Sequence, residues 1–313
     1  MDKKITDINL SKEERVSAVG FEYANQKLQR AGECQLCGNN VFLEISHTDR
    51  YGFPANAAAC TNCGLTFLNP RMDGNGYSKF YEHYYRPLVS AYYGRLFDAK
   101  TIQKDQLTYT DEVIELLNEY LADKPGMSFL DIGGSTGIVA MGLIKKFNVK
   151  ATILDPAPDE IAEANNLGLE TITSLFEDWN PGKKKFDLVG MFQTVDHLLD
   201  INNTFEKIRN ILTDNGLFII DIVDFRHNYL KFWSTEEAVK IDHPFYFTDN
   251  SFEKILKKFG FKFIKKSISK DKHLVMYVCK LSGETPNVNY NDNYIEKYFE
   301  EIRYVQSTKW MKK

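Results

Sequence analysis

The chain has 313 residues, 43% of them hydrophobic and 26% charged, with a formal net charge of −4 and a pI near 5.9. The length allows one large domain with a smaller one, or two of ordinary size, and the composition excludes global disorder. The acidic balance argues against a surface built wholly for nucleic acid, whose phosphates need clustered Lys and Arg. No run of about eighteen apolar residues marks a membrane span, and the opening MDKKITDINLSKEER lacks the apolar core of a signal peptide. The protein is accordingly expected in the cytoplasm, away from membranes.

Residues 1–33 are polar, with Phe21, Ala24 and Leu28 at helical spacing, and predict an N-terminal helical arm. Two turns follow, Cys34-Gln-Leu-Cys37-Gly38 and Cys60-Thr-Asn-Cys63-Gly64. Each tight turn sets two thiolates on one side of a metal, and the pair completes a tetrahedron, so residues 34–70 read as a zinc ribbon. Disulfides are disfavoured in a cytosolic protein, and a redox Cys-x-x-Cys would not be expected twice with the same following glycine. Four thiolates leave no open position, which makes the zinc structural. Cys279, in LVMYVCKL, reads as a small buried hydrophobe, and His47 is surplus to a site made of cysteines.

Residues 71–125 predict a helical connection. Tyr81, Tyr84, Tyr85 and Arg86 open it, the tyrosines at the spacing of core or interface residues of a helix. A helix from 90 to 125 then shows Val113, Leu116, Leu117, Tyr120 and Leu121 on one face and ends at Pro125-Gly126.

The stretch Ser128 to Val139, SFLDIGGSTGIV, predicts a buried strand entering a glycine turn and then a helix. A phosphate-binding P-loop is excluded because no Lys follows Gly137, and a dinucleotide turn fits poorly because its second and third glycine positions hold Ser135 and Ile138. Strands near 151–154, 169–173, 186–192 and 217–222 alternate with helices opened by Pro158 and centred on 205–212. That alternation specifies a doubly wound parallel sheet. A helix with Asn250 and Glu253 at its start follows, and strands 261–269 and 273–281 succeed one another as a hairpin. The polar end, 284–313, carries an amphipathic helix with Tyr294, Ile295, Tyr298, Phe299 and Ile302, suited to intersubunit packing in a homo-oligomer or to docking on its own domain.

The pattern Asp131-x-Gly133-x-Ser135-x-Gly137 resembles the first motif of class I S-adenosylmethionine-dependent methyltransferases, with Ser135 where a glycine is usual. The ribbon, Gly52 to Pro54, the NPR at Asn69 to Arg71 and the aromatic run, directly ahead of such a core, resemble a group that includes enzymes methylating nucleotide-linked sugars and related small metabolites. The resemblance implies a Rossmann-like α/β methyltransferase sheet over 126–283 ending in the antiparallel hairpin, with a substrate-side insertion at 226–250. It implies that Asp131, Gly133, Gly134, Ser135 and Gly137 cradle the cofactor, with Tyr85 and Gln193 at its methionine end and Phe176 over its adenine. Asp155, at the end of the next strand, suits the ribose hydroxyls or a helix cap. FDLVGMFQTVDHLLD resembles the family's fourth-strand motif ending in an acidic-His pair, here Asp196-His197. His197 serves as a general base or as a structural histidine, and His243 either binds and activates the acceptor or shapes its loop.

The function expected is methyl transfer from S-adenosylmethionine to a small polar metabolite, a nucleotide-linked sugar first. An RNA methyltransferase gripping nucleic acid with its ribbon is the alternative enzyme; between Cys37 and Cys60 it would have only Arg50 as a cation, against Glu44 and Asp49. A non-catalytic cofactor-binding scaffold is the third possibility.

Overall fold

The structure, a computed structural model, describes residues 3–284 and 287–312; the remaining residues of the two predicted end segments lie outside the described residues. In the N-terminal arm Ser11 and Glu14 exchange capping bonds at the start of α1 (Lys12–Ser17). The helix expected through Phe21, Ala24 and Leu28 does not form. Phe21 is buried against Phe53, Phe80 and Tyr84, and Leu28 enters β1 (Leu28–Gln29). Contacts with rings from later elements outweigh the local helical period.

Strands β2 (Phe42–Ser46), β3 (Ala57–Cys60) and β4 (Thr66–Leu68) form an antiparallel meander, and β5 (Arg71–Met72) pairs with β1. Helices α2 (Gly74–His83), α3 (Tyr85–Tyr93) and α4 (Ala99–Leu121) follow. The helix expected from residue 90 is therefore two. Gly94, at φ 64, ends α3, and Asp98 caps α4 afresh. The apolar face of α4 is as read, with Val113, Leu116, Leu117 and Leu121 buried.

The second half alternates as its sequence predicts: β6 (Ser128–Ile132), α5 (Ile138–Phe147), β7 (Lys150–Asp155), α6 (Pro158–Asn166), β8 (Glu170–Thr173), β9 (Phe186–Met191), α7 (Ile201–Ile211) and β10 (Leu212–Val223). The insertion supplies α8 (Phe225–Phe232), α9 (Thr235–Ala238) and β11 (Phe245–Tyr246), and the chain closes with α10 (Asp249–Lys258), β12 (Phe261–Ile268), β13 (Leu274–Leu281) and α11 (Asn293–Thr308). Helix α10 is capped by Thr248 and Ser251, two residues ahead of the expected Asn250 and Glu253. Thr248 is in extended backbone and its hydroxyl accepts the Ser251 N–H, while Asn250 already lies inside the helix.

The main sheet has seven strands in the order β12-β13-β10-β9-β6-β7-β8. Strands β8, β7, β6, β9 and β10 are parallel, and β13 runs antiparallel to both β10 and β12. The strand order turns back between β6 and β9, so the crevice for a ligand opens at their carboxyl ends. Phe205, Phe218, Phe252 and Phe261 fill one face, and Val113, Phe129, Leu143 and Val278 the other. Side chains buried this completely contribute about 1.5–3 kcal/mol each.

Strand β11 leaves the main sheet and pairs with β4, Phe245 opposite Phe67 and Tyr246 opposite Thr66, so the ribbon sheet runs β11-β4-β3-β2. The insertion thus completes a sheet begun by the cysteine-bearing strands. On α11, Ile295, Tyr298, Phe299, Ile302 and Val305 are buried, the Tyr298 and Thr66 hydroxyls lie 2.7 Å apart, and Gln306 Nε2 donates to the Ile45 carbonyl at 2.8 Å. The apolar face suited to a second subunit is taken up within the chain.

Candidate active site

Strand β6 delivers Asp131 to the carboxyl edge of the sheet, 1% exposed and with no hydrogen-bond partner on either carboxylate oxygen. Burial, reinforced by the charge of Asp155, pushes its carboxyl up to about 8. Gly133, at φ 70, has no room for a side chain, since a Cβ there would lie 2.4 Å from Thr194 Oγ1. Ser135 adopts φ 50 without being glycine. Its N–H donates to Asp155 Oδ2 at 2.9 Å, and the Ala157 N–H donates to Oδ1 at 2.8 Å, so Asp155 pins the loop to the next strand. Burial still holds Asp155 up to about 6. Gly137, left-handed at φ 78, leads into α5, and the Ser135 and Thr136 hydroxyls are buried without partners. The loop is a row of polar groups that need a ligand to satisfy them.

At the end of β9, Gln193 is exposed at φ 49 and its N–H donates to Asp221 Oδ1 at 2.7 Å. The other Asp221 oxygen accepts the Tyr109 hydroxyl from α4. Asp196 is 2% exposed, its Oδ1 has no partner, and burial raises its pKa against the pull of Lys240. The Tyr81 hydroxyl donates to the Asp242 carbonyl at 2.6 Å, and His197 Nδ1 lies 2.7 Å from the same hydroxyl and 2.9 Å from the same carbonyl. With the phenolic hydrogen committed to that carbonyl, Nδ1 carries the imidazole proton and Nε2 keeps its lone pair. Burial lowers the His197 pKa to about 4, which leaves the ring neutral.

The His243 ring lies 4.7 Å from that of His197, centroid to centroid. Its Nε2 is 3.5 Å from Asp242 Oδ2 and its Nδ1 3.9 Å from Asp196 Oδ2, and burial followed by the charge of Lys240 lowers its pKa. His197, Asp242 and His243 have the spacing to hold a metal ion, with the Lys240 ammonium already 3.5 Å from Asp242 Oδ2. Tyr85 stands with its ring 6.1 Å from His197, under the guanidinium of Arg86, and Arg86 bridges to Glu160 on α6 at 2.6 Å.

The glycine loop, Gln193, Asp196, His197 and His243 lie together at the carboxyl edge of the sheet. Phe176, in the turn after β8, is 3% exposed and packs beside Trp179 with the Lys207 ammonium 5.2 Å from its ring, while its neighbour Leu175 is half-buried. In a short turn after β8 the larger ring takes the buried position. Residue-by-residue reading missed Tyr109, Lys240 and Asp221. A charge inside the apolar run LFIIDIV was the available signal for Asp221.

The four cysteines meet in the ribbon, with Sγ atoms within 4.8 Å of one another. The closest pairs, Cys34 with Cys63 and Cys37 with Cys60, are 3.5 Å apart, thiols in contact and not disulfides. Gly38 and Gly64 share φ 75 and donate back to the Cys34 and Cys60 carbonyls at 2.8 and 2.9 Å, so the two turns are copies of one geometry. Cys279 lies apart, fully buried, and His47 pairs with Glu44 at the surface.

A doubly wound sheet ending in an antiparallel strand, with an acid-led glycine loop and a second acid at the next strand, defines a Rossmann-like methyltransferase fold. Residues 104–266 match the family model of a methyltransferase domain, just over half of the chain. The chain belongs to this methyltransferase family, as an S-adenosylmethionine-dependent enzyme. It is similar to a solved S-adenosylmethionine-dependent methyltransferase from Clostridium acetobutylicum ATCC 824, at 20% identity over 66% of this chain and 99% of that one, with a TM-score of 0.47. It is also similar to the PH0226 protein from Pyrococcus horikoshii OT3, at 19% identity over 56% and 90% of the two chains, with a TM-score of 0.48. No curated protein matches the chain. Among the described residues, no helix is long and apolar enough to cross a membrane.

Proposed function

We propose that the enzyme methylates a small polar metabolite, a nucleotide-linked sugar being the first candidate, in the cytoplasm. The observation that carries the reading is the pair of neutral histidines set beside buried Asp196 and Asp242 in the loop that follows β9 and in the insertion. Bound S-adenosylmethionine supplies an electrophilic methyl group on a sulfonium. The cradle fits it: the two unpartnered oxygens of Asp131 call for a donor such as an ammonium, and the Ser135 and Thr136 hydroxyls are free to bond a polar ligand. Asp155 faces the ribose, Gln193 and Tyr85 border the methionine end, Gly133, Gly134 and Gly137 let the backbone approach closely, and Phe176 covers the adenine.

His197 Nε2 removes the proton from the acceptor atom. Its Nδ1–H is fixed by Tyr81 and the Asp242 carbonyl, so accepting a proton at Nε2 requires no ring flip. Asp196 and Asp242 stabilise the charge that then appears on the imidazoles, and His243 orients the acceptor beside them. The remaining catalysis is alignment in a pocket closed by Tyr81 and Tyr85.

The cysteine cluster fits zinc by donor type, number and spacing, and with four thiolates the ion would be structural. The parts are an arm (1–33), the ribbon (34–70), a helical cover (71–125), the catalytic core (126–283, insertion 226–250) and a terminal helix (284–313). The test is incubation with methyl-labelled S-adenosylmethionine and a fractionated cell extract. Label in the acid-soluble pool is expected; label in RNA, protein or polysaccharide instead overturns the reading.

A further inference from the structure

We infer that the ribbon is the mount of the acceptor segment and that Asp49 is its positioning residue, an inference that rests on residues 239–246 lining the acceptor side of the cleft. Asp49 lies in the turn DRYGFP between β2 and β3 and is 3% exposed. Its Oδ1 accepts the N–H groups of Tyr51 and Phe53, both at 3.0 Å, which closes its own turn. Its Oδ2 points off the turn and accepts the N–H of Ile241 at 3.0 Å, the residue directly ahead of Asp242. One buried carboxylate thus joins two stretches far apart in sequence, and each of its oxygens has separate work.

The neighbouring residue extends the grip. The Arg50 N–H donates to the Val239 carbonyl at 3.0 Å, and its guanidinium donates to the Glu237 carbonyl through Nε at 3.0 Å and Nη2 at 2.8 Å. On the far side of His243, the Leu68 N–H takes the Pro244 carbonyl at 3.0 Å, and β4 pairs with β11. Tyr77 donates to the Ile241 carbonyl at 3.2 Å. The segment carrying Lys240, Asp242 and His243 has little regular structure of its own, and buried backbone groups need partners. Asp49, Arg50, Leu68 and Tyr77 supply those of Val239, Ile241 and Pro244, and all four belong to the ribbon or the helix after it, while Tyr246 serves both backbone groups of Lys240 and Tyr81 the Asp242 carbonyl.

This gives the cysteine cluster a task at a distance. The turn Cys60 to Cys63 joins β3 to β4, and β4 holds β11, so the geometry of the second cysteine turn passes through one strand pairing to the residues after His243. The cofactor cradle has no such dependence, because its loop is pinned to its own sheet by Asp155.

The test compares wild type, Asp49→Ala and Asp49→Asn by hydrogen exchange, metal analysis, S-adenosylmethionine affinity and label transfer to the acid-soluble acceptor. In Asp49→Ala, exchange across 239–246 should accelerate at least tenfold, while peptides covering 128–136 and 186–191 are unchanged. Cofactor affinity should stay within twofold and metal content should stay the same, while label transfer at saturating cofactor falls at least tenfold. Asp49→Asn, which keeps the shape and one acceptor oxygen, should lie between the two. Tyr77→Phe, which removes a different bond to Ile241, should reproduce a smaller version of the same local loosening. Unchanged exchange across 239–246, or parallel loss of cofactor affinity and metal in Asp49→Asn, would overturn the inference. Should the wild type label no small molecule, the functional reading fails while the exchange data still decide whether Asp49 mounts the segment.

Discussion

The two sides of the crevice are built in opposite ways. The cofactor side is centred on a run of seven consecutive positions, Asp131 to Gly137, with buried polar atoms left unsatisfied. The acceptor side draws on four separated stretches, around Asp49, Tyr81, His197 and Asp242, and backbone groups of Val239, Ile241, Asp242 and Pro244 in its central segment are bonded by residues from elsewhere. The first is a local device waiting for its ligand; the second is an assembly held by the rest of the molecule. A substitution on the cofactor side should therefore be felt in binding, and one on the acceptor side in turnover.

The largest effect should come from His197→Ala. Removal of a general base costs typically 10²–10⁴-fold in turnover, and the cofactor dissociation constant, measured by calorimetry, should be unaffected; equal loss of both would erase the contrast. Asp131→Asn should act the other way round. A charge-assisted bond is worth about 1.5–3 kcal/mol, so affinity for the cofactor should fall roughly ten- to a hundredfold.

The same carboxylate makes binding depend on pH. Its pKa in the free enzyme is raised to about 8 by burial, and it must be ionised to accept a bond from an ammonium. Bound cofactor favours the ionised form, so binding releases a proton below that pKa. Affinity should strengthen by up to about tenfold per pH unit between pH 6 and 8 and level off above. Asp131→Asn should flatten that slope. The smallest change expected is from Tyr109→Phe, which takes one donor from buried Asp221; it should lower stability by about 1–3 kcal/mol and shift cofactor affinity only a few-fold through Gln193.

The same contrast explains what the sequence made legible. The glycine loop, Asp155 and the cysteine turns are defined by spacing over a few residues, and the alternation of strand and helix set out the sheet and its terminal hairpin. Asp196, His197 and His243 could be found by chemistry and place, but the proton on His197 could be assigned only once Tyr81 and the Asp242 carbonyl were seen beside it. Phe176 could be found by place, but only packing shows that it is the more buried of two adjacent apolar side chains. The helix expected at Phe21 failed for a related reason: its partners, Phe53, Phe80 and Tyr84, come later in the chain. Nothing local marks Asp49 either, whose partner Ile241 is separated from it by most of the catalytic core.

The strand order of the ribbon also bears on how the protein is made. During synthesis both cysteine turns and β2 to β4 leave the ribosome long before β11 exists, so the nascent meander carries an open edge along β4. Unpaired edges are templates for pairing with other chains. Until Phe245 and Tyr246 emerge to close it, the interval of translation between the two halves is a period in which the unfinished chain is exposed to association with its neighbours.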